Sequence, residues 1–259
     1  MGDLLFQDSD FVSTRTDLPT VQNVSDVLPS TRYELDAYGH WVFYGNKPFE
    51  DKVNGRLLTV QNGASVQPAF TNDGAVLTNA KGSALMSDLV DNANVSVTAI
   101  YVAKVSGAGL FLMGMTLPTS GITTENGFGA YISTNKVSVN FKPAVASANG
   151  AISGFSNNQA IVQTSPFLVA VSIDKTNKTA LLYTMAAGEA AYAMTSFFIP
   201  YESANKVIAI GNAYYQASEG GARTTFSEAI LYNRALAISE IKAVALRCRA
   251  RLKGKNIII

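Results

Sequence analysis

Cysteine occurs once in 259 residues, at Cys248, so no internal disulfide can staple this chain. Histidine and tryptophan also occur once each, as the neighbours His40 and Trp41. A single histidine excludes a His-rich zinc site and makes any Ser-His-Asp arrangement depend on one residue set in an apolar run. No stretch of about 18 apolar residues exists, which leaves nothing to cross a membrane as a helix. Charge is scarce, at 15% of residues, and nearly balanced at +1. That gives no general pull toward nucleic acid or acidic lipid, so neither nucleic-acid binding nor membrane insertion is expected. The opening MGDLLFQDSDF is acidic and has no signal-peptide core, and Phe6 stands where a myristoylation signal needs Ser or Thr. The expectation is a protein made in a cytosol, with the Asn-X-Ser/Thr matches at Asn23, Asn94 and Asn177 fortuitous.

Apolar residues are plentiful, at 47%, enough for a sizeable core. Residues 1–39 show no sustained period, carry Pro19 and Pro29, and still hold Leu4, Leu5, Phe6, Phe11, Val24 and Val27. They read as an extended arm that packs on its own domain or on a neighbour. From residue 40 to 259 the chain reads as one domain of strands and turns. Val95, Val97, Ala99, Tyr101, Ala103 and Val105 alternate with Ser96, Thr98 and Lys104, the mark of a half-buried strand. GFGAYIS-TNK-VSVNF and FLVAVSI-DKTNK-TALLYT read as hairpins. MAAGEAAYAMTSFF, rich in alanine, reads as a loop carrying Tyr192, Phe197 and Phe198, with Tyr201 just beyond. Many short strands without alternating helices predict an all-β antiparallel two-sheet jelly-roll sandwich over residues 40–235.

The end of the chain reads differently. In TTFSEAILYN, strict alternation places Phe226, Glu228, Ile230 and Tyr232 on one face and Ser227, Ala229 and Leu231 on the other. Asn233-Arg234 turns the chain. Ser239 then reads as the N-cap of an amphipathic helix over 239–253, whose apolar stripe is Ile241, Val244, Ala245, Cys248 and Leu252 and which Gly254 stops. Arg247, Arg251 and Lys255, flanked by Arg249 and Lys253, read as a solvated basic face, with an acidic partner surface as the alternative.

FSEAILYNRALAISEI, together with GFGAYIST-NKVSVNF, PFLVAVSIDKTNKTALLY, VIAIGN and GAVLTNAKGSALMS, resembles the concanavalin A-like lectin/glucanase superfamily, and within it the laminin-G-like domains. The resemblance covers about residues 40–255. It implies the jelly-roll fold and leaves the ligand open. Glucanases of that superfamily need paired carboxylates along one strand. No E-x-D-x-E cluster occurs, Glu34-Leu35-Asp36 lies ahead of the domain, and Glu228 stands alone, so no catalytic residue and no enzyme are expected. Many relatives bind calcium through loop oxygens. Asp73, Asp88, Asp91, Asn92 and Asn94 are the candidates here, and ordinary turn chemistry is the preferred account of them, so no cofactor is assigned.

The Pro-punctuated arm, the HWVFYG run and the small polar loop residues also resemble tailed-bacteriophage virion proteins in composition. That implies a virion structural, decoration or tail-appendage protein, held to other virion proteins through the arm and homo-oligomeric. The alternative is a carbohydrate-binding adhesion module for host-surface glycans. Its ligand residues would be Tyr214 and Tyr215, as stacking rings on a Gly-rich loop, with Asn212 and Arg223 as hydrogen-bonding groups.

Overall fold

A computed structural model describes residues 32–61, 67–114, 127–141, 153–197, 203, 205–214 and 222–259. Fifteen strands precede one helix among these residues. They are β1 (Gly39–Val42), β2 (Thr59–Val60), β3 (Ala69–Thr71), β4 (Gly74–Thr78), β5 (Ser83–Val90), β6 (Val97–Val105), β7 (Phe111–Gly114) and β8 (Phe128–Ser133). Then come β9 (Lys136–Phe141), β10 (Ser153–Ser156), β11 (Phe167–Asp174), β12 (Thr179–Ala186), β13 (Glu189–Ser196), β14 (Val207–Asn212), β15 (Arg223–Tyr232) and α1 (Ile238–Lys253).

The strands form two stacked sheets. One runs β13-β12-β11-β6-β15-β4-β3, with β1 also paired to β15; the other runs β10-β9-β8-β7-β14-β5-β2. Every pairing is antiparallel except β14 with β7. The expected antiparallel sandwich is therefore the observed fold. Between the sheets lies a core that includes Trp41, Tyr101, Phe128, Phe167, Phe226 and Leu231. A second core lies on the outer face of the first sheet, where Ile100, Val102, Leu168, Tyr183, Ile230 and Tyr232 meet Ile241, Val244, Ala245, Cys248 and Leu252 of α1. Burying each large apolar side chain of that helical stripe stabilises the packing by about 2 kcal/mol. The helix is also why β6 is buried on both faces for most of its length rather than half-buried.

Several local expectations change. A register shift between Phe226 and Glu228 marks a β-bulge in β15. The extra residue moves Phe226 into the inter-sheet core with Ala229 and Leu231, while Glu228, Ile230 and Tyr232 face the helix. The Ala-rich stretch is not a loop. Ala187 and Gly188, with φ of 51° and 83°, make the two-residue turn of the β12–β13 hairpin, and Tyr192 lies on its second strand. Phe197 is buried, whereas Phe198 and Tyr201 lie outside the described residues.

Helix α1 starts one residue earlier than expected. Ala237, not Ser239, holds the N-cap position, and the Glu240 carboxylate accepts its backbone N–H at 2.8 Å. The chain is fixed just before that point, because the hydroxyls of Thr98 and Ser172 accept the Leu236 N–H at 2.9 and 3.2 Å. At the other end Gly254 keeps right-handed helical geometry, and it is Asn256 that turns left-handed, with φ of 59°.

Residues 1–31, most of the expected arm, lie outside the described residues. The segment that follows packs into the domain. Glu34 is buried against α1, and the Tyr38 N–H donates to the Leu231 carbonyl at 2.8 Å.

Candidate ligand-binding groove

A sealed charged cluster lies under α1, and an open groove lies beside it. The cluster forms because the bulge turns Glu228 outward, toward the helix. Glu228 Oε1 accepts from Arg251 Nε at 2.9 Å and Arg251 Nη2 at 2.6 Å, and from His40 Nε2 at 2.5 Å. The Glu34 N–H donates to His40 Nδ1 at 3.0 Å, which assigns the ring proton to Nε2. Arg251 also reaches the Glu34 carboxylate at 3.2 Å and the Arg32 carbonyl at 2.5 Å, while Arg247 grips Glu34 through both carboxylate oxygens. Arg247 and Arg251 are therefore not part of a solvated face; they are the counter-ions of two buried acids.

Burial alone would raise the Glu228 carboxyl, but the His40 hydrogen bond and the nearby Arg251 charge outweigh it and hold the group below the ordinary carboxylate value. Burial pushes the Cys248 thiol well above its ordinary range. With Glu34, His40 and Glu228 each at most 3% exposed, no substrate can reach these carboxylates. The cluster is structural, tying the N-terminal segment to the last helix.

The groove is different in kind. Helix α1 covers only the half of the outer sheet face beyond the bulge. On the other half, Val76 of β4 pairs with Thr225 of β15, which pairs with Lys104 of β6, so the three side chains form a row across adjacent strands. Ser106, Thr164 and Arg223 close one end around a hollow of about 330 Å³. A second hollow of about 230 Å³ adjoins it through Lys104, Thr164 and Thr225 and extends to Asp73, Ser227 and Asn256. Lys104 Nζ lies 2.8 Å from Asp73 Oδ2. Thr164, with a left-handed φ of 72°, is held by its N–H bond to the Val105 carbonyl. Arg223 is exposed, its own N–H donating to Ser106 Oγ at 2.8 Å and its guanidinium free of any carboxylate among the described residues. The groove thus offers two cationic donors, several hydroxyls, one carboxylate and a small apolar floor.

Of the described residues expected to bind ligand, Arg223 alone lines this groove. Asn212 and Tyr214 belong to the opposite sheet and the turn after it. Asn212 is fully buried and its amide donates to the Asn79 carbonyl at 2.7 Å. Tyr214 is half-buried, donates to the Val207 carbonyl at 3.2 Å, and carries the Lys206 ammonium 4.7 Å from its ring centre. Tyr215 lies outside the described residues. Lys104 was not foreseen in the groove, and Asp73 only as a calcium candidate, because what joins them to Arg223 is strand order rather than spacing.

The loop acids have local uses. Asp73 pairs with Lys104, Asp88 with Arg56 at 2.7 Å and Asp91 with Lys175 at 2.6 Å. Asn92 Oδ1 accepts the N–H groups of Asn94 and Val95, each at 3.0 Å. Among the described residues no three acidic, histidine or cysteine side chains gather as a metal site.

No protein-family model matches the chain, and no curated protein matches it in sequence. Solved structures do match in fold. The binding domain of Paraclostridial Mosquitocidal Protein 1 superposes with a TM-score of 0.55 at 14% identity, over 81% of this chain and 51% of that one. The botulinum neurotoxin type G receptor binding domain gives 0.51 at 12% identity, over 84% and 51%. The botulinum neurotoxin serotype D ligand binding domain in complex with N-acetylneuraminic acid gives 0.55 at 10% identity, over 81% and 50%. The chain spans about half the length of each. At these identities the likeness shows the fold: a two-sheet lectin-like β-sandwich of the kind found in these toxin binding domains.

Proposed function

We propose that this domain is a non-enzymatic recognition module for saccharides, and that the groove on the open half of the first sheet is its binding site. The observation that carries the reading is the convergence of Lys104 and Arg223 with the hydroxyls of Ser106, Thr164 and Thr225 around one open hollow. Sugar hydroxyls need mixed donors and acceptors, and two cations at the rim suit a saccharide bearing a carboxylate. One of the matched toxin domains is a complex with such a sugar, N-acetylneuraminic acid. The groove's only carboxylate, Asp73, is tied to Lys104, so the paired acids of glycoside cleavage are lacking among its described residues.

A virion setting rests on composition alone, that of the Pro-punctuated arm, the HWVFYG run and the small polar loop residues, and none of the matched structures named above is a virion protein. Binding to an array of acidic and neutral glycans tests the proposal. Acidic glycans should bind in a salt-sensitive way, and both Arg223→Ala and Lys104→Ala should lose them while keeping the fold. Undiminished binding by both folded variants would remove the groove from consideration, and binding to no glycan would end the saccharide reading.

A further inference from the structure

We propose that β13 is a self-pairing edge, through which two copies of this chain join their larger sheets across a two-fold axis. Among the described residues β13 ends its sheet, with β12 on one side only. The other terminal strands are short: four residues in β10, three in β3 and two in β2. β13 has eight, pairs with β12 without a bulge, and carries no proline and no charge from Ala190 to Ser196. Sheet edges are ordinarily blunted by lysine, proline, bulges or brevity, and from Ala190 to Ser196 this strand carries none of these devices; the Lys242 ammonium of α1 lies 5.6 Å from the Tyr192 ring centre.

The hairpin geometry fixes which groups face outward. Across the two-residue turn at Ala187–Gly188, Ala186 and Glu189 are the closing hydrogen-bonded pair. Bonding toward β12 then alternates, so Glu189, Ala191, Ala193 and Thr195 serve β12. Ala190, Tyr192, Met194 and Ser196 point their N–H and C=O groups away from the sheet. An antiparallel second copy must match outward residues with outward residues. The register centred on Ala193 does so, placing Tyr192 opposite the partner copy's methionine at position 194, and Ala190 opposite its serine at position 196.

That register is also complementary in shape and charge. Tyr192 and Met194 are 55% and 63% exposed, and their pairing across the axis buries two sulfur–aromatic contacts. Beside Met194 lies a hollow of about 350 Å³ lined by Leu181, Leu236, Ile238 and Glu240, into which the opposing tyrosine ring extends. At the rim, Glu189 of one copy comes near position 178 of the other, a lysine on the turn whose carbonyl accepts the Phe197 N–H. A stranger's strand would meet the same edge but not this matched hollow and ring.

Sedimentation of the full chain at micromolar concentration should show a dimer. Met194→Pro removes one outward N–H and leaves every bond to β12, so it should give a folded monomer by circular dichroism. Should that variant unfold, Met194→Lys, which keeps the N–H and sets a charge opposite the tyrosine, should give the same monomer. Ala193→Cys places two thiols on the axis and should form a disulfide-linked dimer under mild oxidation, whereas Ala191→Cys alone should not. A monomeric wild-type chain, a dimer indifferent to folded Met194→Pro or Met194→Lys, or a failure of Ala193→Cys to cross-link would overturn the proposal. A chain that dimerises only after residues 1–31 are removed would assign the edge to that segment instead, and would overturn it too.

Discussion

Replacing Arg251 with methionine tests whether the buried charges act as one unit. Methionine keeps much of the apolar stem and removes a guanidinium that serves Glu228, Glu34 and the Arg32 carbonyl at once. Glu34 would keep its two-pronged grip on Arg247, so the uncompensated charge falls on Glu228, which retains only His40. Breaking a buried pair from one side costs roughly 3–5 kcal/mol, and the surviving His40 bond sets the expectation at the low end, about 3 kcal/mol. For a domain of this size that corresponds to a fall in Tm of roughly 6–12 °C. The pH dependence gives a second reading. Glu228 has a lowered carboxyl pKa when folded, so its stabilisation is fully present above the ordinary value of 4.5 and is lost as pH falls through the folded value. The gap between wild type and Arg251→Met should therefore be widest at neutral pH and narrow as the solution is made acid. Urea titrations at neutral and acid pH measure both quantities. Glu228→Gln combined with Arg251→Met should cost at least about 1 kcal/mol less than the two separate losses added together. A loss under about 1 kcal/mol at neutral pH, or an equal loss at both pH values, would refute the idea of a coupled cluster.

Other substitutions probe the frame around the groove. Gly74→Ala should destabilise by roughly 2–4 kcal/mol in urea, since φ is 143° there and an added Cβ would sit 2.0 Å from the Phe226 carbonyl oxygen, at the bulge. Tyr101→Phe removes a 3.1 Å hydrogen bond to the Ala209 carbonyl that joins the two sheets, and should cost about 1–2 kcal/mol without altering the fold. Cys248 should resist a thiol reagent in the folded protein and react on unfolding, because the thiol is fully buried and its pKa raised; rapid labelling of the native state would contradict the packing of α1. Tyr214→Phe should leave glycan binding intact, its hydroxyl being engaged with Val207.

Much of this architecture is legible in the sequence where a local pattern carries it. The β11–β12 hairpin announces itself through β-branched and aromatic residues flanking a polar loop, and the stripe of α1 follows from helical spacing alone. The β12–β13 hairpin does not, because alanine is a poor marker of strands and the turn has no Asn-Gly or Asp-Gly signal. Nothing in FSEAILY marks the bulge, yet it decides which side chains enter the inter-sheet core. Arg247 and Arg251 look like a solvated helix face until Glu34, more than 200 positions away, is brought beneath them. The candidate groove fails to show for the same reason. Lys104 reads correctly as a polar position on its strand, but its neighbours Thr225 and Val76 are known only once β6, β15 and β4 are known to be adjacent. The Gly-rich surrounding of Asn212 and Tyr214 suggests exposure, whereas the buried asparagine amide and the tyrosine hydroxyl close the end of β14.

The position of β15 constrains how this domain comes into being. It is the last strand to be synthesised, yet it runs through the interior of the larger sheet, with β6 on one side and β4 and β1 end to end on the other. A nascent chain that has reached residue 222 holds β1, β4 and β6 without the strand that joins them. Their exposed edges must then wait, open to wrong partners, until residues 223–232 have left the ribosome. Folding is thereby deferred to a single late event that assembles distant segments together, the regime in which long-range strand pairing is slow. A shortfall in chaperone supply should therefore harm its yield more than that of a domain whose strands pair in the order they emerge.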